Sequence, residues 1–100
     1  MGNALVPELA VSNWLKSRAF CCDIIGFTVR YERPEEGFSF LELGGAELMI
    51  DEIGVGRTFA VADAPFDYPL GRGVNLQIHV ADVSAILDRL AVAGHPLYLP

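Results

Sequence analysis

Apolar positions along this chain fall into short periodic blocks, separated by glycine, proline and acidic residues. Residues 5–11 make a short β-like run. Pro7 has no amide donor, which favours an edge or the beginning of a strand. Ser12-Asn13 then supplies a helix cap, with Asn13 the better N-cap residue. A helix is expected from about Trp14 to Ile25. Leu15, Ala19 and Cys22 share one face of it, Trp14 and Ile25 lie at the margin, and Gly26 closes it. Residues 27–32 alternate and are rich in β-formers. Residues 33–37 (Arg-Pro-Glu-Glu-Gly) form a turn by composition. Residues 38–43 and 46–52 read as two strands joined by Gly44-Gly45, a pair that tolerates positive φ in a tight turn. The predicted order to this point is β-α-β-β-β.

Residues 53–73 break the periodicity, with Gly54, Gly56, Pro65, Pro69, Gly71 and Gly73 marking a connecting segment. Residues 74–80 alternate again. Val74, Leu76, Ile78 and Val80 face one way; Asn75, Gln77 and His79 face the other. Asp82 caps a second helix, whose Val83, Ile86, Leu87, Leu90 and Ala91 follow helical spacing. Gly94 closes it, and residues 96–100 begin another strand. The second half thus restarts the first: strand, Asn or Asp cap, helix, glycine. Such a repeat of β-α units governs the fold reading more than any single motif. A full second copy would need two further strands. The expected division is 1–52 for a first module, 53–73 for a linker and 74–100 for the start of a second.

Composition narrows the function classes. The chain has 100 residues, of which 52% are hydrophobic and 20% charged, the balance of a globular protein. Its formal charge of −6 disfavours nucleic-acid binding, which needs cations against phosphate, and disfavours an acidic membrane. No apolar run approaches a membrane span, and the N-terminus lacks a basic region and long apolar core, so a cytoplasmic protein is expected. Cys21 and Cys22 are adjacent and sit in a helical pattern. Without a CxxC or a second pair they offer neither a zinc knuckle nor a disulfide framework, and small buried apolar side chains are the expected role.

The repeated β-α-β-β-β module resembles the vicinal oxygen chelate superfamily, which includes glyoxalase I, extradiol dioxygenases, and fosfomycin- and bleomycin-resistance proteins. The resemblance runs through Val6-Pro-Glu-Leu-Ala-Val-Ser12, Ile24-Ile-Gly-Phe-Thr-Val29, Tyr31-Glu-Arg-Pro-Glu-Glu-Gly37, Gly45-Ala-Glu-Leu-Met-Ile-Asp51 and 71–83. It covers nearly the whole chain and is closest to the glyoxalase/bleomycin-resistance-like branch. It implies an α+β fold in which paired βαβββ modules form a cup-shaped mixed sheet with helices on the convex side, the second module being incomplete in these 100 residues. It also implies a ligand in the cup and a homodimer. Metal-dependent members place a histidine on the first strand of each half. The matching positions here are Val6 and Asn75. Valine cannot ligate, and an amide oxygen is a weak ligand for iron, zinc or nickel. Asp51 matches a carboxylate position, but one carboxylate does not hold a catalytic divalent ion. No metal and no cofactor are therefore expected.

The candidate ligand-binding residues are Phe38, Phe40, Met49, Asp51, Asn75, Gln77 and His79. On 46–52, Leu48 and Ile50 are assigned to the helix side, which leaves Met49 and Asp51 to the cup. Phe38, Phe40 and Glu42 share one strand face; of the two phenylalanines, one is expected in the core and one in the cup. Aromatic rings beside carboxylates suit a flat cationic ligand. His79, lone on a polar face, reads as solvated or hydrogen-bonded, and His95 as solvent-facing near a helix end. Glu35-Glu36 reads as a solvated turn. No catalytic residue is assigned, because neither Ser-His-Asp nor Cys-His groupings are supported. The leading reading is a small-molecule-binding protein without bond chemistry, with antibiotic sequestration as one form of it. The alternative is a metal-dependent enzyme of lyase or dioxygenase type whose remaining site residues lie beyond residue 100. A third reading is a pure dimerisation module.

Overall fold

A computed structural model describes residues 3–55 and 73–97. The linker expected at 53–73 and the strand expected at 96–100 lie largely outside the described residues. β1 (Glu8–Val11), β2 (Thr28–Arg33), β3 (Phe38–Leu43) and β4 (Ala46–Glu52) form one mixed sheet in the order β1-β4-β3-β2. The topology follows from connection length. Two short turns make β2, β3 and β4 an antiparallel meander. β1 pairs with β4 in parallel, which requires the crossover that the helical segment supplies.

That segment begins as α1 (Trp14–Ala19) and continues as a π-helix over Phe20–Ile25. Asn13 caps it, its Oδ1 accepting the Lys16 amide at 3.1 Å. Glu52 also reaches it from β4, with Oε1 accepting the Trp14 amide at 2.7 Å. The inner face differs from the one expected. Leu15 is 66% exposed and Ala19 is exposed, whereas Cys21 and Ile24 are buried and Trp14, Cys22 and Ile25 pack on the core. Arg18 lies on the same side as Trp14, Cys21 and Ile25, its half-exposed side chain bonded to Glu32, and hydrophobic spacing alone does not register a charged residue there.

The core lies between this helical layer and one face of the sheet. Cys21, Phe27, Leu41, Leu48 and Ile50 are its buried members, with Leu9, Val11, Val29 and Leu43 packed against them. Burying such side chains contributes roughly 1.5–3 kcal/mol each. Leu48 and Ile50 therefore face the helices, which places Met49 and Asp51 on the other face, as the alternation implied.

Within the same layer lies a closed polar network. Trp14 Nε1 donates to Ser39 Oγ at 2.7 Å, and Ser39 Oγ donates to Glu32 Oε2 at 2.8 Å. Arg18 donates to both Glu32 oxygens, at 2.8 and 3.1 Å. These bonds from Arg18 hold the Glu32 carboxyl below its ordinary value and raise the guanidinium of Arg18.

α2 (Val83–Ala93) is capped by Asp82, whose Oδ1 accepts the Ala85 amide at 3.2 Å. It is tied to the π-helix by Arg89, whose Nε donates to the Ile24 carbonyl at 2.6 Å. A cation at a helix C-terminus satisfies a carbonyl that the helix itself cannot. His95 follows α2, exposed, with its ring edge-on to Phe20 at 5.2 Å. The alternation at 74–80 does not form a strand. A strand needs a hydrogen-bonded neighbour, and among the described residues none pairs with it. Ile78 alone of this stretch packs on the core.

Candidate functional site

The sheet face away from the core is built in cross-strand rows, because directly paired residues share a face. One row runs Arg33–Phe38–Asp51–Ala10 across β2, β3, β4 and β1. The next runs Tyr31–Phe40–Met49–Glu8. A third begins Glu42–Glu47. Phe38 and Phe40 thus lie on one face, and neither joins the helix-side core cluster. The shared face is the one the strand alternation gave, with Phe38 buried at 2% and Phe40 half-buried. They are separated by two residues on an unbroken strand, so the pleat sends both the same way.

A β-bulge shapes the face. The pairing of β2 with β3 shifts between Val29 and Tyr31. Val29 remains in the core, and Tyr31 lands opposite Phe40 on the open face. The extra residue, Arg30, stands over the Phe40 ring at 5.5 Å and pairs with Glu47, with Glu42 at 3.9 Å. Bulges re-aim side chains in this way. The rings form a cluster: Tyr31 stacks on Phe40 with centroids 5.3 Å apart and tilts against Phe38 at 5.9 Å. Arg33 lies over Phe38 at 4.6 Å and Tyr31 at 6.0 Å. Sequence reasoning missed Arg30, Tyr31 and Arg33, because uninterrupted alternation puts Tyr31 on the face of Val29.

Buried charge is unevenly satisfied here. Glu47 is buried, yet Arg30 and the Asn3 amide both donate to it. Asp51 is 4% exposed, and among the described residues its Oδ1 has no hydrogen-bond partner. Leaving such an atom unmade costs about 1–3 kcal/mol, more when it is charged.

Of the seven candidate residues, Phe38, Phe40, Met49 and Asp51 come together on this face. Phe38 is only 2% exposed and Asp51 only 4%, so neither is open to a ligand in this conformation. Asn75, Gln77 and His79 are exposed on the segment without a strand. Gln77 borders a separate open cleft of about 290 Å3 that Leu5, Phe27, Leu48 and Leu76 also line. Among the described residues no three of His, Cys, Asp and Glu gather as metal ligands. The donor set among the described residues does not fit a divalent metal centre. Cys21 and Cys22 are free thiols. Burial pushes Cys21 up to about 11, and it raises Cys22 as well.

The protein is α+β, with one four-stranded mixed sheet covered by helices on one face. Its βαβββ arrangement is a vicinal-oxygen-chelate-like fold. Among solved structures it is similar to a glyoxalase/bleomycin resistance protein/dioxygenase superfamily member from Vibrio splendidus 12B01, at 34% identity over 86% of this chain and 64% of that one, with a TM-score of 0.46. It is similar as well to an integron cassette protein from the mobile metagenome of the Halifax Harbour sewage outfall, at 14% identity over 94% of this chain and 72% of that one, with a TM-score of 0.54. The chain thus spans 64% of the length of the Vibrio protein. No family model and no curated protein matches the chain. Among the described residues no helix is long and apolar enough to cross a membrane.

Proposed function

We propose that this chain is a small-molecule-binding protein of the glyoxalase/bleomycin-resistance-like type, which takes a flat, cationic aromatic ligand on the open face of its sheet and does no bond chemistry. The observation that carries the reading is Asp51, a buried carboxylate with one oxygen free of partners among the described residues, set in the row of Phe38 and beside the Tyr31–Phe40 stack. A cation with a ring answers both features: the carboxylate supplies charge and the rings supply stacking. Glu8, Glu42 and Glu47 on the same face add negative potential. Sequestration of an antibiotic of that chemistry is the biological form we assign to it, in the cytoplasm, where the two free cysteines stay reduced.

We also propose that the ligand cup is completed by a second copy of the chain, with residues 74–100 opening a second module after the 53–73 linker. Leu5 (81% exposed) and Leu76 (47%), which line the same open cleft, support this, since contiguous apolar surface is normally covered. Calorimetric titration with benzamidinium and benzoate at two ionic strengths tests the ligand reading. Tighter binding of the cation, weakened by salt, is expected; equal or tighter benzoate binding overturns it. Sedimentation at micromolar concentration tests assembly, and a stable monomer overturns that part. Elemental analysis decides against the metal-dependent alternative unless near-stoichiometric transition metal co-purifies.

A further inference from the structure

The two arginines of the open face are held very differently. Arg30 is fixed by the buried Glu47 and backed by Glu42. Among the described residues Arg33 has one ion pair, to Glu36, with Nε 3.3 Å from Oε1 and both side chains about two-fifths exposed, at 40% and 39%. An exposed pair of this kind contributes little. Yet the Arg33 guanidinium stands 4.6 Å from the centroid of Phe38, a residue only 2% exposed. Phe38 pairs directly with Asp51, whose Oδ1 is without a partner among the described residues. Swinging Arg33 into solvent breaks one weak ion pair. It frees the side of the ring that the guanidinium covers, next to the buried Asp51 carboxylate with which Phe38 is paired.

We infer that Arg33 is an internal stand-in for the ligand's cationic group, so that the site selects a planar N–H cation of guanidinium or amidinium type and Arg33 sets its affinity by competing for the Phe38 ring. This rests on the cationic-ligand reading above and adds to it the class of cation and the residue that limits its binding. A guanidinium already occupies the ring face, so the shape and charge the face accepts are visible. A planar amidinium can also present N–H donors to Asp51, which a quaternary ammonium cannot. The cost of entry is then the loss of the Arg33–ring contact.

Benzamidinium, its neutral isostere benzamide and tetramethylammonium are titrated into the wild-type protein, Arg33→Gln and Arg33→Lys. Arg33→Gln is expected to bind benzamidinium about three- to thirtyfold more tightly than wild type, with Arg33→Lys between them and benzamide unchanged. In the wild-type protein the Arg33 side-chain proton resonances, shifted by the Phe38 ring, are expected to move to solvent-like positions as benzamidinium saturates. Wild-type binding of benzamidinium with no gain, or a loss, in Arg33→Gln overturns the inference and leaves the cationic-ligand reading standing. Tighter binding of tetramethylammonium than of benzamidinium overturns the planar N–H selectivity. Failure of both wild type and Arg33→Gln to prefer benzamidinium over benzamide overturns the inference and the reading beneath it. Circular dichroism of each variant verifies that the exposed substitution leaves the fold intact.

Discussion

Ser39→Ala removes a single oxygen, yet it should be among the costliest changes of that size in this protein. Ser39 is fully buried between sheet and helix. Its hydroxyl accepts from Trp14 Nε1 at 2.7 Å and donates to Glu32 Oε2 at 2.8 Å. Alanine leaves the indole N–H facing a methyl group, and an unpaired buried donor costs about 1–3 kcal/mol. Glu32 also loses a hydrogen bond to a charged acceptor, about 1.5–3 kcal/mol, although Arg18 stays on both its oxygens and keeps that loss near the lower end. The sum is about 3 kcal/mol, a large part of the ~5–15 kcal/mol by which a domain is stable. Urea unfolding followed by Trp14 fluorescence and circular dichroism reads it as a lower midpoint at unchanged slope. Trp14→Phe supplies the control, followed by circular dichroism alone. With no indole N–H left to orphan, Ser39→Ala should cost about 1–2 kcal/mol less in that background, a coupling within the range for directly bonded residues. A loss below about 0.5 kcal/mol, or additive effects, would mean that the network does not hold the helix to the sheet.

Gly37→Ala is expected to destabilise by about 1–3 kcal/mol, measured as a lower thermal midpoint, because Gly37 sits at φ +61° and an added Cβ would stand 2.9 Å from the Glu52 Cβ. Acid should weaken the fold partly through Glu32. Arg18 holds its carboxyl below the ordinary 4.5, so the Arg18–Glu32 contribution is complete above that value and is lost as pH falls through the lower folded value. Urea midpoints between pH 6 and pH 3 should fall more steeply for wild type than for Glu32→Gln, and parallel curves would refute the assignment.

The sheet was legible wherever one face is buried throughout a strand. On β4, Leu48 and Ile50 against Met49 and Asp51 needed only the two-residue period, and the Gly44-Gly45 turn fixed its register with β3. Helix ends were legible as well, from Asn13 and Asp82 as caps. Two kinds of information were hidden. The side of the first helix that meets the sheet includes Arg18, bonded to Glu32 across 14 residues of sequence, a contact that no local pattern carries. The open face depends on a bulge of one residue, and alternation before and after it looks continuous in sequence. That single shift moves Tyr31 from the face of Val29 to the face of Phe40 and brings Arg30 between Glu42 and Glu47. That Phe38 and Phe40 share a face, and that Met49 and Asp51 lie opposite Leu48 and Ile50, was legible from each strand alone; the arginines beside them were not. The strand expected at 74–80 failed for a third reason, since alternation states which side is apolar and not whether a neighbour exists to bond with.

Among the described residues the two faces of the sheet differ in how far their polar groups are satisfied, and the proposed ligand site rests on that difference. Beneath the helices, Trp14, Ser39, Glu32 and Arg18 close a chain in which each donor meets an acceptor. Glu52, on the same side, is spent on the Trp14 amide. Among the described residues the polar groups of this network are spent on one another, and the network registers one layer on the other. Across the sheet the residues are as chemically rich but are not closed. Glu47 is satisfied by Arg30 and Asn3, whereas Asp51 is buried with an oxygen open among the described residues. Arg33 covers Phe38 on the strength of one exposed ion pair. Folding stability argues against such a group: an apolar residue in place of Asp51 would avoid the desolvation cost at no loss of a pairing that the described residues provide. Asp51→Asn and Asp51→Leu should accordingly leave stability unchanged or raise it in urea unfolding while abolishing the benzamidinium preference. A large loss of stability with intact cation binding would show that Asp51 serves the fold and not the ligand.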